Sequence, residues 1–105
     1  MESSQSFSAP PHGISPAALA GVRVVEMGQL IAAPFCGKTL GEFGADVIKI
    51  EAPETGDPLR NWRLIKEGTS VWWQVQSRNK RSVALDLRQK EGHAIARQLI
   101  AEADV

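Results

Sequence analysis

Short β-branched apolar runs alternate along this chain with longer stretches whose apolar residues recur three and four apart. Val22-Arg23-Val24-Val25-Glu26-Met27 ends at Gly28 and predicts a strand that delivers the chain into a turn. A helix is predicted next. Pro34 suits a first helical turn, Phe35, Thr39, Leu40 and Phe43 recur at near-helical spacing, and Gly44 stands where a left-handed cap is wanted. Asp46 to Glu51 (DVIKIE) predicts a second strand. Strand, helix and strand within about 30 residues form a βαβ unit with parallel strands and a right-handed crossover. Residues 52–69 are dense in Pro, Gly, Asp and Asn and predict a long excursion outside the core, ordered by Trp62, Trp72 and Trp73. Ser77 to Ser82 (SRNKRS) reads as a polar, basic turn before a third strand, Val83 to Leu87. A last helix is predicted from about Lys90 to Ala103, with Ala96, Leu99, Ile100 and Ala103 as one stripe facing a sheet.

Composition narrows the function classes. Of 105 residues, 12 are Lys or Arg and 12 are Asp or Glu, so no global field favours a phosphate backbone or an anionic lipid surface. Neither a nucleic-acid partner nor a membrane is expected. The single cysteine excludes an internal disulfide, and Cys36, His12 and His93 have no metal-ligand spacing. No apolar run approaches the roughly 20 residues of a membrane span, which points to a soluble protein. Residues 1–18 hold five serines and three prolines without a Lys or Arg, and predict a disordered tail with neither a secretory nor a mitochondrial leader. The cytoplasm is the expected compartment. Ala-Glu-Ala-Asp-Val at the other end reads as a helix giving way to a new apolar element, so the chain is read as the N-terminal portion of a longer one, with residues 19–105 as the ordered part.

The first turn, Gly28 to Pro34, lacks the glycine pattern that lets backbone approach a pyrophosphate, and no P-loop is present. Gly37, Gly41 and Gly44 are read as packing and capping positions, and Cys36, between Phe35 and Gly37, as a small core residue. Arg78, Lys80 and Arg81 could hold an anion at a turn, but a solvated, carboxylate-paired segment fits them better. Arg88 follows the third strand, at the carboxyl end where open α/β sheets place ligands. No carboxylate pair and no Ser-His-Asp arrangement can be placed from the sequence.

Leu19 to Glu26 (LAGVRVVE), Ala33-Pro34-Phe35, Leu40 to Glu51 (LGEFGADVIKIE), Gly56 to Arg60 (GDPLR) and Arg78 to Leu87 (RNKRSVALDL) together closely resemble the N-terminus of the family III CoA-transferases. The resemblance covers about residues 19–105, with the blocks in the family's order and spacing. It implies an α/β fold, the N-terminal part of a Rossmann-like large domain in a two-domain polypeptide that forms an interlocked homodimer when full length. It also implies an aspartyl nucleophile that attacks an acyl-CoA thioester and passes CoA to an acceptor carboxylate, with succinyl-CoA and a dicarboxylate as one substrate pair. CoA and acyl-CoA would be substrates, and no permanently bound cofactor is expected. The nucleophile would lie beyond Val105, so no principal catalytic residue is expected in this segment.

By the same resemblance, Ile31, Ala32, Ala52, Leu85, Asp86, Leu87 and Arg88 would contribute to CoA binding, Leu85 beside adenine and Arg88 beside a phosphate. Ile31 stands where formyl-CoA transferase has a glutamine and Ala52 where it has an arginine, which argues against formyl-CoA or oxalate chemistry. Gln29, two positions earlier, is the auxiliary catalytic candidate. Trp62 and Trp72 fall at aromatic positions of the active site, and packing beneath the long loop explains them as well. Two other readings stand beside the transferase: an acyl-CoA racemase or epimerase of the same fold, and a non-catalytic fragment. An isolated segment is expected to aggregate through its apolar sheet face and open edge.

Overall fold

The computed structural model describes residues 17–105; the proposed tail and His12 lie outside that range, except that Ala17 and Ala18 enter a turn against the end of the first helix. In chain order the elements are β1 (Arg23–Glu26), α1 (Ala32–Glu42), β2 (Asp46–Glu51), a 3-10 turn (Pro58–Asn61), β3 (Ile65–Lys66), β4 (Thr69–Ser70), α2 (Val71–Gln76), β5 (Lys80–Ala84) and α3 (Lys90–Ala101). The main sheet is parallel in the order β1-β2-β5, and β3 pairs with β4 as a small antiparallel hairpin.

β2 is the central strand, with Val24 opposite Val47, Glu26 opposite Lys49, and Lys49 opposite Ser82. Side chains of a strand alternate between faces, so Val24, Val47, Glu26, Lys49, Glu51, Lys80 and Ser82 share one face. That face is apolar at the amino end of the strands, where Val24 and Val47 pack with Ala45, Leu19, Val22 and Leu40. Toward the carboxyl end it is charged. α1 crosses the face, and two glycines let it come close. A Cβ at Gly37 would fall on the Glu26 carboxylate, and one at Gly41 would press on Asn79 and Val47. Gly44 closes the helix at φ +108°, the left-handed conformation its position calls for.

Beside β1, the backbone of Val105 donates to the Arg23 carbonyl and accepts from the Val25 amide, the hydrogen-bond pattern of a parallel ladder. The strand order therefore reverses at β1, with β2 and β5 on one side and Asp104–Val105 on the other. Among the described residues no helix is long and apolar enough to cross a membrane.

Four local readings change. The third strand is Lys80–Ala84, three residues earlier than the apolar run suggests, because Lys80 and Ser82 point inward to carboxylates instead of lying in a solvated turn. The stretch 52–69 read as an excursion holds the 3-10 turn and most of the β3–β4 hairpin, and α2 follows it at Val71–Gln76, with Ser70 capping α2 at the Trp73 amide. Cys36 is exposed, because the buried stripe of α1 runs through Pro34, Gly37 and Gly41. In α3, Ala96 is buried, but Ile100 stays 47% exposed.

Candidate functional site

The carboxyl ends of β1, β2 and β5 open on a cavity of about 600 Å³. Its lining comes from the turn after β1 (Met27, Gly28, Gln29), the end of β2 and its exit (Lys49 to Thr55, without Val47 or Ile48), Asp57, and the segment after β5 (Leu85 to Arg88). This is the place where open α/β sheets bind ligands, next to the reversal of strand order. Parallel strands bring their carboxyl ends together at one edge, so residues far apart in the chain meet there.

Beneath the cavity lies a set of four charges. Lys49 Nζ is 2.6 Å from Glu26 Oε2 and 2.8 Å from Asp57 Oδ2, and it donates to the Gly28 carbonyl at 3.1 Å. Lys80 Nζ donates to the Pro34 carbonyl at 2.8 Å and stands 2.7 Å from Glu26 Oε1, there as an ion contact without an aligned hydrogen bond. Two ammonium groups thus face two carboxylates in a neutral and almost wholly buried set. Burial opposes the charge of both lysines. At Lys49 the hydrogen bonds it donates to Asp57 and Glu26 outweigh burial and leave its pKa raised, whereas at Lys80 burial, with the neighbouring Lys49 charge, wins over Glu26 and the more distant Asp57 and lowers it.

A second cluster adjoins it. Glu51 accepts from Arg60 Nη2 at 2.8 Å and Nε at 2.9 Å, from Ser82 Oγ at 2.6 Å and from the Asp57 amide at 2.7 Å. The Arg60 hydrogen bonds, against the opposing effect of burial and with Ser82 and the Asp57 amide adding to them, hold the Glu51 carboxyl down at about 2. Arg60 also lies 4.0 Å from the centre of the Trp73 ring, which ties α2 to the Glu51 cluster.

At the rim, Asp86 accepts from the Arg88 amide at 3.0 Å and from Arg88 Nε at 3.1 Å, so Arg88 is oriented but exposed. The mutual hydrogen bond lowers the Asp86 pKa and raises that of Arg88. A phosphate could take the guanidinium from this partner without any rearrangement of the core.

The structure therefore gathers Gln29, Ala52, Leu85, Asp86, Leu87 and Arg88 around one cavity. Ile31 and Ala32 lie at the start of α1, exposed and outside that lining. Trp62 and Trp72 also lie outside it and pack on each other with ring centres 5.4 Å apart. Arg81 pairs with Asp46 and Arg78 with Glu42, so the basic segment is satisfied by carboxylates. From the sequence, Lys49 carries no role, and Glu51 and Asp57 are carboxylates whose partners cannot be placed. Their signal was present: charges in a strand otherwise made of Val and Ile, and an Asp placed immediately before Pro58.

Residues 19–105, nearly all of the described chain, match CoA-transferase family III. The chain belongs to that family. It is 47% identical over 91 residues to succinyl-CoA–D-citramalate CoA-transferase of Chloroflexus aurantiacus, covering 86% of this chain and 23% of that protein. It is 50% identical over 88 residues to the beta subunit of succinyl-CoA–L-malate CoA-transferase of the same organism, covering 83% of this chain and 22% of the relative. Among solved structures, a CaiB/BaiF family protein of Brucella suis superposes with a TM-score of 0.77 at 41% identity, over 86% of this chain and 25% of that one. The chain spans about a quarter of the length of the family III proteins it matches.

Proposed function

We propose that the complete protein moves CoA from an acyl-CoA, with succinyl-CoA as the donor, to the carboxylate of an organic acid. One observation carries the reading: the cavity at the carboxyl ends of β1, β2 and β5, with Arg88 at its rim, in a family III chain. Relatives named for succinyl-CoA support the choice of donor.

In this reading Arg88 pairs with a CoA phosphate, Leu85 and Leu87 give apolar surface beside the adenine, and Ala52 leaves the exit of β2 open. Ile31 and Ala32 approach CoA from the start of α1, and Trp62 and Trp72 act from the end of the 3-10 turn and from α2. Gln29 lies nearest the reacting groups as an amide donor. An aspartate from outside residues 1–105 attacks the thioester carbonyl, releasing CoA thiolate and leaving a mixed anhydride. The thiolate then attacks the enzyme-side carbonyl of that anhydride, which frees succinate and leaves CoA on the enzyme. The acceptor carboxylate takes CoA by the same two steps in reverse. CoA is a substrate throughout and no resident cofactor is required. The complete protein is proposed to form an interlocked homodimer and to work in the cytoplasm.

The test incubates the complete protein with succinyl-CoA and, separately, citramalate, malate and glutarate, and reads new CoA thioesters by mass spectrometry. A new thioester with stoichiometric release of succinate is expected. Hydrogen–deuterium exchange at the α-carbon of a 2-methylacyl-CoA, without any transfer, would replace this reading with a racemase.

A further inference from the structure

Gln29 is straddled by one buried ion pair. On one side of it Lys49 Nζ donates to the Gly28 carbonyl at 3.1 Å. On the other, the Leu30 amide donates to Asp57 at 3.1 Å from Oδ1 and 3.3 Å from Oδ2. Lys49 and Asp57 are themselves 2.8 Å apart, each 1% exposed. Leu30 has φ +67°, a left-handed conformation that a leucine adopts only when its surroundings impose it. Among the described residues the Leu30 amide is held by the Asp57 carboxylate alone. Asp57 also caps the 3-10 turn at the Leu59 amide, 2.9 Å away, and a neutral residue could do that much. Well-packed apolar side chains often replace a buried ion pair without loss of stability, but an apolar residue at position 57 would leave the Leu30 amide without this acceptor.

We infer that Asp57, anchored by Lys49, is a positioning residue of this site: it holds the backbone after Gln29 while Lys49 holds the backbone before it, and the pair so sets where that amide meets the reacting groups in the cavity. The inference rests on the proposed CoA transfer for its kinetic readout, and has a second readout that does not.

The test uses the complete protein with succinyl-CoA and an acceptor acid. Asp57→Asn keeps the size of the side chain but sets an amide NH₂ either against the Lys49 ammonium or against the Leu30 and Leu59 amides. Its kcat is expected to fall about ten-fold while KM for succinyl-CoA moves less than about three-fold. Gln29→Ala is expected to show the same split, and the double variant to be within about two-fold of the poorer single one, because both changes remove the same placed group. Amide hydrogen exchange in the peptide around Leu30 is expected to quicken about ten-fold in Asp57→Asn and to stay unchanged in Gln29→Ala. Losses that multiply, a Gln29→Ala variant with full kcat, or unchanged exchange around Leu30 would each overturn the inference. Where Asp57→Asn does not fold, Asp57→Ser keeps an oxygen for Leu59 and is read the same way. A wild-type protein that transfers CoA to no acid removes the proposed function instead, and the exchange around Leu30 then decides alone whether Asp57 holds the loop.

Discussion

Glu51 gives the chain a pH signature. Its carboxyl lies at about 2 in the folded protein against an ordinary 4.5, chiefly because Arg60 hydrogen-bonds the charged form. A carboxyl with a lowered folded pKa contributes stability that is complete above its unfolded value and is lost as pH falls toward the folded one. The contribution, on the order of 2–3 kcal/mol, is therefore present at neutral pH and fades from about pH 4.5 toward pH 2. Urea denaturation of the complete protein across that window is expected to show the loss in the wild type and a shallower fall in Glu51→Gln. At Gly37 the constraint is steric. Alanine there would push the Glu26 carboxylate off Lys80, and Gly37→Ala is expected to cost about 2–4 kcal/mol in the same denaturation measurement. Arg88, exposed at the rim, is expected to matter for binding and not for folding. Arg88→Ala should raise KM for succinyl-CoA by roughly ten-fold with an unchanged melting temperature, as loss of a charge-assisted phosphate contact requires.

At the scale of elements, the segment between β2 and β5 is held by its aromatics and by one serine. Ser70 is fully buried, donates to the Trp62 carbonyl at 2.9 Å and accepts from the Trp73 amide, so it joins the 3-10 turn to the start of α2. Ser70→Ala removes both bonds and is expected to lower stability by about 1–2 kcal/mol, seen as a lower denaturation midpoint with an unchanged slope. β1, α1 and β2 were legible in the sequence because their signals are apolar and local: Val22 to Met27, the Pro34 start, the Gly44 cap, and DVIKIE. β5 begins three residues before its apolar run because its inward positions are Lys80 and Ser82. Hydrophobic periodicity reads such residues as solvated, whereas here Glu26 and Glu51 wait for them inside. The same blind spot hid Lys49, Glu51 and Asp57 at the site. The gathering of Gln29, Ala52 and Leu85 to Arg88 at one cavity is what parallel topology produces at the carboxyl ends of its strands, but in the sequence these residues stand out through the family resemblance, and Arg88 alone also by its place after a strand. That Ile31 and Ala32 fall outside the lining was not, since it depends on where Leu30 turns the backbone.

At the scale of the molecule, these residues leave large apolar groups in water. Phe35 and Phe43 on α1 are each 56% exposed and Leu64 is 68% exposed. A polypeptide of residues 1–105 alone is expected to self-associate, as sedimentation velocity would show, and a monomer with a cooperative melt would contradict this. The complete protein is proposed to carry CoA between carboxylates through this cavity. Isotope exchange tests that claim without knowledge of the natural acceptor. The complete protein is mixed with unlabelled succinyl-CoA and ¹³C-succinate, and the thioester is followed by mass spectrometry. Label entering succinyl-CoA while the total thioester stays constant is the predicted result, and no label entering while the thioester survives would contradict it.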